Sequence, residues 1–390
     1  MTDSQGLTCL ITIHGMGFQH APADGVPGYA DGLHESLRES LPGLIGSDPV
    51  SEFGRGAGEG AIYVHSDWPP GSGKMNEGLK RLGVWPRDDV SHRTVDTTGV
   101  PLRDRDCPIA HVALVYAGLE EQQPHLGASI ETLMKGIISH GNYASLPSLV
   151  GMGMMDLWAV VKQQRSGPQT LTPSLQVRGA VMTGGAVRAQ QNPSSPLDVF
   201  RQLDHDVTTY VVRNDLRERV RTFLHDALLR LCFRDDVAHL VINSHSLGTV
   251  LAFDTIRTLP PIAAGKVRHL ITAGSPLRKF TDLFYWGSDA VCLSQAPWTN
   301  FWDETDPVAD PLGPSKGWRR GDPLPELSNE LPLFTVTDPD TGVQEGVAVA
   351  DVQTSNAAHG AGGGLAAHNY WDNQEEFVQP LASILAASTA

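Results

Sequence analysis

The sequence predicts an α/β protein: a mainly parallel central sheet with helices on both faces and a helical, lid-like insertion. Three observations lead there. Short apolar, β-branched runs alternate with amphipathic helical patterns, the arrangement of parallel strands joined by helical crossovers. One such run, residues 237–243, passes through a Ser-His-Ser-Leu-Gly turn directly into another helical pattern. No repeat period or low-complexity tract competes with this architecture, apart from residues 357–367, whose Gly362-Gly363-Gly364 predict a loop. At 390 residues and 41% hydrophobic, the chain is expected to form a single domain over 1–390, because α/β domains often exceed ~200 residues without splitting.

The elements follow in order. Residues 8–13 (TCLITI) read as a buried strand running into His14-Gly15-Met16-Gly17. Across 29–41, Leu33, Leu37 and Leu41 recur every four residues and so share one helical face. Residues 61–65 and the more apolar 109–116 (IAHVALVY) read as strands. Between 118 and 196 the pattern changes to an insertion with helical stretches at 130–138 and 149–162. There Met152, Met154, Met155, Leu157 and Trp158 offer an adaptable apolar surface, expected to act as a lid or acyl-chain wall. Residues 206–233 carry an apolar stripe through Leu216, Val220, Phe223, Leu224, Ala227, Leu228 and Leu231, opposite Arg213, Arg217 and Arg221. After the strand at 237–243 come a turn at 244–248, a helix from 249 to about 259 ending at Pro260-Pro261, a strand at 267–273, a strand at 298–302 and a last helix at 377–386.

Ser244-His245-Ser246-Leu247-Gly248 is a G-x-S-x-G-like pentapeptide with Ser in place of the first Gly. A serine held in a sharp strand-to-helix turn presents its hydroxyl above the sheet, and the residues two positions to either side must be small to clear the adjoining strand and helix, as Ser244 and Gly248 are. Ser246 is therefore the candidate nucleophile, and a turn serine without chemistry is the bland alternative.

Together, this elbow and the early His-Gly loop resemble the α/β-hydrolase superfamily of esterases and lipases. The resemblance covers residues 7–14, 109–116 and much of 204–371; within it, 206–254 is somewhat similar to intracellular phospholipase A1 enzymes and bacterial lipase-like proteins. It implies that backbone N–H groups of Met16 and Leu247 form an oxyanion hole, with Gly15 and Gly17 letting the backbone approach and His14 and His245 shaping the surrounding loops. It also implies the chain order Ser, acid, His. Asp306, in an Asp-Pro-Val context after the strand at 298–302, is the expected acid, with Asp303 and Asp310 as alternatives. His368, before the last helix, is the expected base; His359 is the rival, and packing beside Tyr370 and Trp371 is the role His368 would have without catalysis.

The resemblance implies a serine carboxylic ester hydrolase working through an acyl-enzyme on a small-molecule or lipid ester. A thioesterase, amidase or acyltransferase on the same site, or a catalytically silent binding protein on the same fold, are the alternatives. A formal net charge of −15 disfavours nucleic acid and anionic surfaces. No 18-residue apolar run is present to cross a bilayer, and residues 1–7 show no export signal. Cys9, Cys107, Cys232 and Cys292 have no CxxC spacing, which suits reduced thiols and a cytoplasmic location. No metal-ligand pattern or cofactor is expected. Gly71-Ser72-Gly73-Lys74 lacks the P-loop's first Gly, with Trp68 in its place, and its Ser or Thr, with Met75 in its place; it reads as a surface turn.

Overall fold

The computed structural model describes residues 6–15, 29–46, 61–64, 107–115, 214–234, 236–284, 296–306, 308–314, 318, 332–338, 340–356 and 367–389. The strands are β1 (Leu7–Ile13), β2 (Ala61–Val64), β3 (Ile109–Val115), β4 (Val237–His245), β5 (Val267–Ala273), β6 (Trp298–Asp303), β7 (Thr335–Thr337), β8 (Gln344–Gly346) and β9 (Ala350–Thr354). Seven of them form one sheet in the order β2-β3-β1-β4-β5-β6-β9. All neighbours in it run parallel except β2, which pairs antiparallel with β3. A separate antiparallel hairpin joins β7 and β8.

Helices cover both faces because the strands are apolar on both. On β1, Cys9, Ile11 and Ile13 face one way, towards α2 (Asn214–Cys232) and α3 (Leu247–Ile256). Leu10 faces the other way, with Leu33 and Leu37 of α1 (Asp31–Ser40) and with Leu381 and Leu385 of α6 (Gln379–Ala387). The period-2 alternation of a strand thus divides one continuous apolar run between two cores. On the first face, Trp298 packs between Phe253 and Phe334, with ring centroids 6.0 and 4.6 Å away. Side chains of this size each contribute about 1.5–3 kcal/mol on full burial.

Several boundaries differ from the expected ones for local reasons. β4 runs two residues further, to His245, and α3 starts at Leu247, because the reversal is confined to Ser246 alone. Pro261 begins a short helix, α4 (Pro261–Ala264), rather than only ending the previous one; at a first helical position the missing N–H of proline costs nothing. Beyond β5 lies α5 (Leu277–Phe284). The last helix is preceded by a π-helical turn, Gln374–Val378, capped by the Asn373 side chain, which accepts from Glu376 N–H. β9 has no sequence-level signal: its Ala-Asp-Val-Gln-Thr is short and half polar, as suits an edge strand. Of the helix expected at 206–233, residues 206–213 lie outside the described residues, as do the insertion at 118–196 and Cys292. Cys9 and Cys232 are buried free thiols. No helix among the described residues is long and apolar enough to cross a membrane.

From β1 the sheet builds outward through β3 on one side and through β4, β5 and β6 on the other. The strand order therefore reverses between β1 and β4, and the crevice outside their carboxyl ends is where open parallel sheets bind ligands. Gly15 leaves β1 at that edge, and Ser246 leaves β4.

Candidate active site

Ser246 has φ 55° and ψ −131°, and it is the one non-glycine residue with positive φ among the described residues. Such a conformation costs about 1–3 kcal/mol and persists only where the surroundings hold it. Its N–H donates to the Ala273 carbonyl at 2.9 Å, and its carbonyl accepts from Thr249 N–H at 3.0 Å and Thr249 Oγ1 at 2.7 Å. Thr249 Oγ1 in turn bonds Ser275 Oγ at 2.8 Å, tying the turn to the end of β5. Two glycines give the turn room: a Cβ on Gly248 would lie 2.1 Å from the His14 carbonyl oxygen, and one on Gly15 would lie 2.5 Å from Ser246 Cβ. Ser244, in the first-Gly position, is fully buried in β4 with its hydroxyl donating to the Ile271 carbonyl, so its hydroxyl serves the sheet.

Leu247 is the first residue of α3, where a backbone N–H has no acceptor within its own helix and the helix dipole favours negative charge. Gly15 stands against Ser246. Met16 and Gly17 lie outside the described residues. His14 is buried, with its ring edge-on to Tyr29 at 4.9 Å between centroids.

The structure brings Asp306 and His368 together: Nδ1 of His368 is 2.7 Å from Asp306 Oδ2. Asp306 is fully buried at the turn after β6, where Val308 N–H donates to Oδ1 at 2.9 Å. Burial pushes the Asp306 carboxyl up, but the charge and hydrogen bond of His368, with the donors from Val308 and Tyr370, outweigh it and hold the group below its usual range. An ionised carboxylate can only accept, so Nδ1 donates, which leaves Nε2 as the ring nitrogen able to take up or release a proton. That Nε2 is buried and has no hydrogen-bond partner among the described residues. The ring lies over Gly274, where a Cβ would approach its Cε1 to 2.6 Å; φ of +61° there is a second reason for glycine. Gly274 directly follows Ala273, the acceptor for Ser246 N–H, so the imidazole and the strained serine stand at the same end of β4 and β5.

Both alternative acids are occupied elsewhere. Asp303 accepts from Thr305 N–H and Oγ1 through Oδ1 and from Asn356 N–H through Oδ2 at 2.6 Å, bracing the turn that carries Asp306. Asp310 pairs with Lys279 of α5. His359 lies outside the described residues.

His245 does more than shape a loop. Its Nε2–H donates to the His368 carbonyl at 2.8 Å, and the two rings lie 4.5 Å apart between centroids. Burial, reinforced by the neighbouring His368 charge, pushes its pKa down to about 3, so it stays neutral. The residue the sequence reading missed is Tyr370. Its hydroxyl donates to Asp306 Oδ2 at 3.0 Å and accepts Asp303 N–H at 2.9 Å. The available signal was a tyrosine two residues beyond the candidate base.

Among the described residues, no group of three or more His, Cys, Asp or Glu is placed to hold a metal ion. In comparisons with known proteins, the chain matches no family model, no curated protein and no solved structure.

Proposed function

We propose that the chain is a serine hydrolase of the α/β-hydrolase type that cleaves carboxylic esters through an acyl-enzyme. The observation that carries this reading is the strained Ser246, at the carboxyl edge where strand order reverses and at the same end of β4 and β5 as a carboxylate-bound imidazole. A non-glycine residue held at positive φ costs folding energy, and such strain concentrates at functional sites.

In this mechanism Ser246 Oγ attacks the ester carbonyl carbon while its proton passes to His368 Nε2. The carbonyl oxygen becomes an oxyanion, met by the N–H groups of Leu247 and Met16. The C–O bond to the alcohol then breaks, and the alcohol oxygen leaves with the proton from Nε2. Water repeats the sequence on the acyl-enzyme, giving its proton to Nε2, and Ser246 recovers a proton as the acid departs. Asp306 keeps Nδ1 protonated throughout and stabilises the imidazolium without itself taking the proton. One lost oxyanion donor costs about 3–4 kcal/mol of barrier.

A fluorophosphonate probe, with peptide mapping of the adduct, tests the reading alongside turnover of p-nitrophenyl esters. Labelling at Ser246 that disappears in Ser246→Ala is the expected result. An adduct elsewhere, or a folded protein inert to both probe and esters, would overturn it.

A further inference from the structure

We infer that the Tyr370 hydroxyl is a positioning group for the acid–base pair: it shares Asp306 Oδ2 with His368 and so sets how strongly the carboxylate holds the imidazolium. This rests on the catalytic reading above and adds a residue that acts through Asp306.

The geometry points to a graded brace. Asp306 Oδ2 accepts both His368 Nδ1–H at 2.7 Å and Tyr370 O–H at 3.0 Å, while Oδ1 accepts Val308 N–H at 2.9 Å. The phenol oxygen itself accepts Asp303 N–H at 2.9 Å. A hydroxyl that accepts one hydrogen bond while donating another is polarised into a better donor. Three donors therefore divide one buried negative charge, and what Tyr370 draws from Oδ2 is withdrawn from His368. The phenol is held as a donor, since burial, reinforced by the Asp306 charge, pushes its own ionisation well above the ordinary tyrosine range. Its ring is fixed too, buried edge-on to Phe377 at 6.2 Å and to His368 at 6.3 Å between centroids.

Among the described residues, the titratable groups around the pair are few. Asp306 faces His368 and Tyr370, with Asp303 behind the phenol. His368 faces Asp306, Tyr370 and the neutral ring of His245 from the elbow, and His14 lies beyond His245. Removing the phenol O–H takes away a donor that competes with His368 for Oδ2. That strengthens the carboxylate's hold on the imidazolium, so the base takes up its proton at higher pH.

The test compares wild type, Tyr370→Phe and protein with 3-fluorotyrosine at position 370, whose phenol is a stronger donor. The acid limb of kcat/KM for p-nitrophenyl butyrate should move up by roughly half a pH unit in Tyr370→Phe, the size expected for one lost hydrogen bond to a shared charge. It should move down in the fluorinated protein. The His368 Nδ1–H proton resonance should move downfield in Tyr370→Phe and upfield in the fluorinated protein. A lower Tm with an unmoved limb and an unmoved resonance would make Tyr370 a packing residue only and overturn the proposal. If no ester is turned over and Ser246 takes no fluorophosphonate, the hydrolase reading fails, and the resonance alone still decides what Tyr370 does to the pair.

Discussion

The two halves of the candidate site are held by different means. At the elbow, Ser246 is placed by the backbone: a positive φ, main-chain hydrogen bonds to its neighbours, and glycines at 15 and 248 where a Cβ would collide. At the other half, Asp306 and His368 are placed by side-chain hydrogen bonds between segments 62 residues apart in sequence. A backbone-held group tolerates loss of its own side chain, whereas a network-held group is disturbed when any member is removed. Mutations should therefore separate activity from stability differently in the two halves.

The largest expected effect falls on the elbow. Ser246→Ala should reduce ester turnover on the order of a millionfold, as loss of a triad nucleophile does, with little change in Tm. Ser246→Gly should be equally inactive yet more stable by about 1–3 kcal/mol, since glycine adopts this conformation without strain. Denaturant unfolding of the two variants checks this; a Gly variant no more stable than the Ala variant would mean that the elbow is not strained.

Next is the network. Asp306→Asn should lower kcat about ten-thousandfold by disturbing the imidazole tautomer. Asp310→Asn should leave kcat nearly unchanged and lower stability instead, through its pair with Lys279. Equal kcat losses in the two variants would show that the acid had been assigned to the wrong carboxylate.

A third substitution probes the space beneath the elbow. Gly248→Ala places a methyl 2.1 Å from the His14 carbonyl oxygen. It should cost about 1–3 kcal/mol, as overpacking does, and it should lower kcat as well by pushing the Gly15 loop from the serine. Normal activity with an unchanged Tm would indicate a looser turn than this.

The smallest effect concerns acid. His245 is neutral in the fold, with a pKa of about 3, against about 6.5 in the unfolded chain. As pH falls below ~6.5 the unfolded chain takes up a proton that the fold refuses, so this stability is present at neutral pH and lost towards pH 3. At pH 5.5 the loss is on the order of 1 kcal/mol. His245→Gln, whose amide can still donate to the His368 carbonyl, should flatten Tm between pH 7 and 5.5. An unchanged slope would place the acid sensitivity elsewhere.

Much of the framework was determined by the sequence alone, because its signals are local. Short apolar, β-branched runs in β1, β3, β4 and β5 mark strands wherever they pair, and the small residues two positions to either side of Ser246, Ser244 and Gly248, are required by the turn itself. Gly274 and the choice among Asp303, Asp306 and Asp310 are of another kind. Three aspartates within eight positions look alike in sequence, and only the direction each side chain takes off the end of β6 decides which meets His368, which braces a turn and which binds Lys279. Tyr370 was hidden for the same reason: its role lies in a hydroxyl reaching a carboxylate 64 residues away. The edge strand β9 was hidden too, since its polar residues pair only because β6 offers a free edge. Local chemistry specified the elbow, while long-range packing chose the partners of the imidazole, because a hydrogen bond depends on where two side chains meet and not on how either one reads.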